Sequence, residues 1–353
     1  MSSVPQHIKE LMRLARKEPD TDLKELMIDA IRHYWTTKNE ITLGRKIPMS
    51  ALASNEKMAR IEPWNAELDP DEVRHDVDSV DDILAKTILN DLEKRGLSII
   101  RITAQSPDNY VIRAVAKLIG PLAPKQNDYK GDIKMIQPKP SGASFSGDTL
   151  ADLGLHVDGT QHNETPCVMI FHYIAGAKVG AMSVFVDTTK ALLDIDGKRR
   201  NELLINLARP DAATFSKKGM VHTGPIIYFS PTNSLVCRVR FDDVIKVNPK
   251  CRSDFNLLKK AFNDPKYRLE FRPRNGDIIV FDNWRILHAR DEVFGLPIRQ
   301  HWRAWITALK PTLLPKYYLG IRPVTAATAA KIEGANKKQV PVSKKRRTKL
   351  ATG

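Results

Sequence analysis

Asn275-Gly276-Asp277-Ile278-Ile279-Val280-Phe281-Asp282-Asn283 is a turn followed by a short apolar run, after which the chain reaches Leu287-His288-Ala289-Arg290. Glycine lets the backbone reverse, and successive β-branched and aromatic residues between acidic boundaries predict a strand buried on both faces. Runs of the same character recur over 97–102, 168–174, 183–187, 226–229, 235–239, 267–271 and 302–307, mostly bounded by Gly, Pro, Asn or Asp. Many short strands with turn residues between them predict a barrel or sandwich rather than a parallel sheet with alternating helices. Helical inserts are expected over 189–207 and 253–262, and no repeat of fixed period is present.

Upstream of residue 97 the periodicity changes. Leu23, Leu26, Met27, Ala30, Ile31 and Tyr34 form one apolar stripe over 21–37, and a shorter helix is expected over 7–17. Ile83, Leu84, Ile88, Leu89 and Leu92 do the same over 81–95, where Gly96 ends the pattern. The expected organisation is a helical region over 1–95 packed on the core, a β domain over 96–322, and a basic, disordered tail over 323–353.

The formal net charge is +15 for 353 residues, which raises nucleic acid as a partner. Much of that excess sits in Lys337, Lys338, Lys344, Lys345, Arg346, Arg347 and Lys349, with no acid after Glu333. Such a block repels itself and lacks apolar content, so it reads as a solvated tail, a localisation signal or an anionic tether. Nucleic acid is therefore not the expected partner. No apolar run approaches the roughly 20 residues needed to span a bilayer, so no membrane partner is expected. Residues 1–18 lack the apolar stretch of a secretory signal, and the three cysteines, Cys167, Cys237 and Cys251, are scattered without C-x-x-C spacing. A reducing, cytoplasmic setting is expected, with a homo-oligomer left open.

Chemistry enters at Leu155-His156-Val157-Asp158-Gly159. In an extended chain residues two apart face the same side, so the imidazole of His156 and the carboxylate of Asp158 converge. On its own the pair is far more often a local hydrogen bond than a metal site. A second imidazole from a distant strand would complete a 2-His-1-carboxylate face with open positions, and His288 is the candidate. Downstream, Arg299, His301 and Arg303 share one strand face, with Trp302, Ala304 and Ile306 on the other. Guanidiniums turned into a barrel need anionic partners. 2-Oxoglutarate meets that need, with a keto acid end that chelates iron and a far carboxylate for a bidentate arginine. The bland alternative is a cationic outer face.

These residues resemble the taurine dioxygenase and γ-butyrobetaine hydroxylase (clavaminate synthase-like) superfamily of Fe(II)/2-oxoglutarate dioxygenases. The resemblance rests on an ordered set: Leu155 to Thr160, Glu164-Thr165-Pro166, Gly180 to Ser183, Gly276-Asp277, Asp282-Asn283 to His288, then Arg299 and Arg303. It implies a double-stranded β-helix (jelly-roll) core, mainly β with flanking helices. It also implies His156, Asp158 and His288 as catalytic iron ligands, Arg299 and Ser183 on 2-oxoglutarate, and Arg303 facing an acidic group of the substrate. The chain departs from the common pattern at Cys167, where a second proline often stands, and at Ala181-Met182, where relatives carry Gly-Asp.

His162 shares the parity of His156, but six residues of strand span about 20 Å, so it joins the same chelate only through a turn. Plain surface exposure is the expectation for it, with a place behind the ligands or on a lid as the alternative. Arg238 to Asp243 alternates charged and apolar residues, which predicts a half-exposed strand and its turn, with Asp242 as a candidate holder of a substrate amine. The resemblance implies Fe(II), 2-oxoglutarate and O₂, with hydroxylation of a small carboxylate-bearing substrate, an amino acid or derivative, and release of succinate and CO₂. Desaturation, cyclisation and epoxidation stay open from the same oxidant. The rival classes are a metal-free binding barrel and a basic nucleic-acid-associated protein.

Overall fold

The computed structural model describes residues 69–335, apart from 79, 81, 103–108, 125–130, 140–145, 177–178, 218, 231–233, 295–298, 314–316, 318, 322–330 and 332–333. The helices expected over 7–17 and 21–37, and the basic run from Lys337 onward, lie outside the described residues.

The strands in chain order are β1 (Arg74–Val77), β2 (Leu97–Ile102), β3 (Ile133–Ile136), β4 (Leu153–His156), β5 (Val168–Ala175), β6 (Val179–Gly180), β7 (Ser183–Asp187), β8 (Ala213–Lys217) and β9 (Met220–Gly224). They continue as β10 (Ile227–Phe229), β11 (Leu235–Cys237), β12 (Ile245–Val247), β13 (Arg268–Phe271), β14 (Asp277–Asp282), β15 (Ile286–Arg290), β16 (Val293–Phe294) and β17 (Gln300–Ile306). The helices are α1 (Asp82–Arg95), α2 (Tyr110–Ile119), α3 (Thr188–Leu193), α4 (Gly197–Leu207) and α5 (Arg252–Phe262).

Two sheets carry the site. A six-stranded sheet runs β1-β2-β14-β5-β17-β3, and a four-stranded sheet runs β13-β7-β15-β4. Residue parity explains how they stack. Met169, Phe171, Tyr173, Ile279, Phe281 and Trp305 of the larger sheet share one core with Phe185, Leu269, Phe271 and Ile286 of the smaller. Their neighbours Val168, Ile170, Ile278, Val280, Ala304 and Ile306 point the other way and pack with α1 and α2. Val184, Val186 and Leu287 likewise turn outward beneath α3, α4 and α5. The result is a double-stranded β-helix with helices on both outer faces, which is why strands such as β14 are buried along their whole length.

Local chemistry sets the boundaries. Gly96 closes α1 with φ +73°, its N–H shared by the carbonyls of Asp91 and Leu92, both at 3.0 Å. The single helix expected over 189–207 is two, because Asp196 accepts from the N–H groups of Lys198 and Arg199 and starts α4 afresh. The expectation for 238–243 is also corrected. Arg238 and Arg240 are buried, at 1% and 3% exposure, because that segment runs antiparallel beside the end of β4, bridging Arg240 to His156, instead of lying on a surface strand. The three cysteines are buried and unpaired.

Candidate active site

β4 and β15 are antiparallel neighbours, and His156 and His288 are direct register partners across them. Opposed side chains of such a pair lie on one face. Here the two rings sit 4.2 Å apart, centroid to centroid. Asp158 follows two residues after His156, and Gly159 then takes φ +75° where a Cβ would stand 2.6 Å from Pro166 Cδ. That turn holds the carboxylate beside the rings, with Oδ1 3.4 Å from His156 Nε2. One ligand atom from each of His156, Asp158 and His288 falls within 4.8 Å of the others, and all three residues are buried.

Neighbouring groups prepare these atoms. His156 Nδ1 lies 2.9 Å from the carbonyl of Gly154, which fixes the proton there and leaves Nε2 as a lone-pair donor. His288 Nδ1 is buried with no hydrogen-bond partner among the described residues. Burial, then the His156 imidazole, push the pKa of His288 well below its ordinary value, so the ring is neutral and able to ligate. Burial pushes Asp158 upward, but Arg303 and the two imidazoles outweigh it and hold the carboxyl well below the usual range. Arg303 Nη1 and Trp305 Nε1 both donate to Asp158 Oδ2 at 2.9 Å. Asn283 fixes the same loop: its Oδ1 accepts from Asp158 N–H at 3.0 Å, and its Nδ2 donates to the carbonyls of Asp158 and Pro166. Two imidazoles and one carboxylate, all buried, fit a divalent iron with open positions.

Arg299 lines the same cavity, 4% exposed, with no carboxylate partner among the described residues. Its Nη2 donates to the hydroxyls of Tyr173 and Ser183, its Nη1 to the carbonyl of Ala181 at 3.3 Å, and its Nε is unpartnered. Tyr173 and Ser183 also bond each other at 3.2 Å. Ala181 holds φ +53°, a left-handed conformation that is costly for a residue with a Cβ, and this aims its carbonyl at the guanidinium.

The cavity encloses about 870 Å³ of empty space, part of it open to solvent, and gathers His156, Asp158, His288, Ser183, Arg299, His301 and Arg303 on its wall. Asp242 is not on that wall; it is taken up by Arg240 Nε at 2.6 Å and Nη2. His162 sits on the turn after Gly159, half-buried, its ring edge-on to Trp305 at 5.7 Å. The sequence reading left out Tyr173, Trp305, Asn283, Lys134, Lys217, Arg240 and Arg290 as site residues. For Trp305 a signal existed, since it shares the odd parity of Arg299, His301 and Arg303.

A double-stranded β-helix with two histidines and an aspartate meeting at its open face defines the class of non-haem iron, 2-oxoglutarate-dependent oxygenases. The chain belongs to the taurine catabolism dioxygenase TauD, TfdA family, whose model matches residues 58–305. It is 26% identical over 161 residues to a trimethyllysine dioxygenase of Meyerozyma guilliermondii, a match covering 42% of this chain and 40% of that protein. It is 24% identical over 251 residues to a uridine-5'-phosphate dioxygenase of an Amycolatopsis species, covering 64% of this chain and 89% of that protein. Among solved structures, the non-haem iron oxygenase OrfP in complex with Fe and α-ketoglutaric acid shares the fold, with a TM-score of 0.51 at 16% identity, over 64% of this chain and 78% of that one. No helix among the described residues is long and apolar enough to cross a membrane.

Proposed function

We propose that this chain is an Fe(II)- and 2-oxoglutarate-dependent dioxygenase that hydroxylates an unactivated C–H bond of a small carboxylate-bearing substrate, an amino acid or derivative, with release of succinate and CO₂. The observation that carries the reading is Arg299, a buried guanidinium with no carboxylate of its own in the cavity that holds the triad. A buried unpaired charge is costly, so the site is built for an anionic ligand. Family membership and the relatives' names support the same reading.

His156, Asp158 and His288 would hold the iron. When bound, iron couples the decarboxylation of 2-oxoglutarate by O₂ to oxidation of a C–H bond. The chain's own residues supply position and charge. Arg299, with Ser183 and Tyr173 orienting it, holds the far carboxylate of the cosubstrate. Arg303 restrains Asp158 and lines the cavity where an acidic group of the substrate would lie. Phe171 and Phe281 pack edge-on or tilted against His288 at 5.6 and 5.0 Å and keep water from its flank. Asp242 serves by holding Arg240. The reading keeps the catalytic region at 96–322, between a helical flank and a basic tail, in a reducing cytoplasm that suits three buried thiols.

Anaerobic addition of Fe(II) and 2-oxoglutarate tests the reading through the visible metal-to-ligand charge-transfer band. The wild type develops the band, and His156→Ala and Asp158→Ala lose it. Absence of the band from the wild type, or its full retention in both variants, overturns the assignment. Amino acids are then screened for stimulated succinate release, and product analysis separates hydroxylation from desaturation, cyclisation or epoxidation.

A further inference from the structure

The charge of the cavity wall is not used up by the residues assigned so far. Lys134, Lys217, Arg240, Arg290, Arg299 and Arg303 all line it, against Asp158 as the one carboxylate among the described lining residues. Most of these cations have local partners. Lys134 Nζ pairs with Asp148 at 2.9 Å, Arg240 with Asp242, and Arg303 with Asp158 at 2.9 Å. Arg290 Nη2 donates to the carbonyls of Thr149 and Ala151, and Arg299 awaits the cosubstrate. Iron and 2-oxoglutarate carry equal and opposite charge, so loading them leaves the wall as cationic as before.

Lys217 stands apart. It ends β8, half-buried and paired with Met220 through the backbone, but its ammonium makes no hydrogen bond or ion pair among the described residues. Burial, then the charge of Arg240, press its pKa below the ordinary lysine value. Arg240, 3% exposed, turns Nε and Nη2 to Asp242, while Nη1 reaches Thr160 Oγ1 only at a long 3.4 Å. Asp158 and Asp242 act on this ammonium only at a distance, and each is already paired with an arginine. An ammonium with no ion pair of its own, beside a guanidinium with an under-used edge, in a wall already cationic, is stabilised most by a ligand group with more than one negative charge. A phosphate monoester carries about −1.5 to −2 at neutral pH and offers three strong acceptor oxygens. A lone carboxylate offers one charge and two.

We propose that Lys217 and Arg240 form a second anion subsite in this cavity that holds a phosphate monoester group of the substrate. The subsite rests on the oxygenase reading for its purpose but not for its chemistry. Arg240 bridges to His156 in the backbone ladder, so the subsite is tied to the strand that carries the first iron ligand. Both residues come from the segment between β7 and β13, not from β17, which supplies Arg299 and Arg303.

Calorimetry on the full chain tests it, using inorganic phosphate and O-phospho-L-serine as probes, with L-serine and malonate as comparisons and saturating 2-oxoglutarate and Fe(II) under nitrogen. The phosphate-bearing probes are expected to bind and L-serine not to. Lys217→Met should weaken phosphate at least tenfold, while Lys246→Met, an exposed lysine on the adjacent β12, binds as the wild type does. Lys217→Arg keeps the charge and retains phosphate binding, which guards against a misfolded Met variant. Equal phosphate affinity in wild type and Lys217→Met overturns the proposal. So does malonate binding more tightly than phosphate, and so does bleaching of the charge-transfer band by phosphate, which would put phosphate on Arg299. Lys217-dependent phosphate binding in a protein that shows no band would leave the subsite standing and remove the oxygenase reading.

Discussion

Arg303 Nη1 donates to Asp158 Oδ2 at 2.9 Å, and Trp305, two residues further along the same strand, donates its indole N–H to the same oxygen at the same distance. Both donors occupy one carboxylate oxygen, which leaves Oδ1, beside His156, as the atom free to ligate. Partners behind a ligand orient it and tune its affinity. Trp305→Phe keeps the ring and deletes one donor. Iron affinity is expected to fall about tenfold, the lower end of the usual effect of losing such a partner. Anaerobic Fe(II) titration reads this directly, and unchanged affinity would show that Arg303 alone fixes the carboxylate.

Tyr173→Phe removes the hydroxyl that both receives from Arg299 and bonds Ser183. With one hydrogen bond to a charged group gone, 2-oxoglutarate binding is expected to weaken about tenfold, corresponding to ~1.5 kcal/mol. Iron binding should be unchanged, since Tyr173 touches no ligand of the triad. Titration of the charge-transfer band with 2-oxoglutarate separates the two effects.

Asn283→Ala leaves the N–H of Asp158 and the carbonyls of Asp158 and Pro166 buried without their side-chain partner. The expected loss is about 2–4 kcal/mol in urea unfolding. Iron affinity falls with it, because the loop carrying Asp158 is released.

His222 gives a pH dependence. Burial, then the adjacent Arg238, lower its pKa to about 4 in the folded chain, and Arg238 Nη1 contacts its Nε2. Between pH 6.5 and about 4 the unfolded chain takes up a proton that the folded chain refuses, so stability falls as the pH drops through that window and this contribution levels off below it. Thermal melts of the wild type across that range should lose more than those of His222→Gln. Parallel curves would assign the acid sensitivity elsewhere.

Much of the fold was legible because strands packed on both faces leave unbroken apolar runs, as in Ile278 to Phe281. What escaped was short or mixed. β4 reads Leu-Gly-Leu-His and β15 reads Ile-Leu-His-Ala-Arg, and neither has a pattern that distinguishes strand from loop. The β8–β9 hairpin, with one face half-exposed, likewise lacks an apolar signature. The site divided in the same way. His156, Asp158 and His288 were readable because metal chemistry demands particular residue types. Tyr173 and Trp305 looked like ordinary core rings, since their polar atoms acquire meaning only once β5, β7 and β17 are side by side. Arg240 looked exposed because alternation within its own segment says nothing about what later covers it.

The register pairing of His156 with His288 has a consequence for how such a molecule tolerates change. Their separation is set by a backbone ladder, so a single-residue deletion in β4 or β15 would turn one imidazole to the opposite face and abolish the metal position outright. The segment that brings Lys217 and Arg240 is different. It lies between β7 and β13 and meets that ladder only at the Arg240–His156 bridge and the adjacent Val157–Val239 hydrogen bond, so changes away from those contacts reshape the cavity wall without moving the ligands. Under the proposed function, the metal position and the Lys217–Arg240 subsite thus rest on largely separate stretches of chain, so that the second can vary while the first stays fixed.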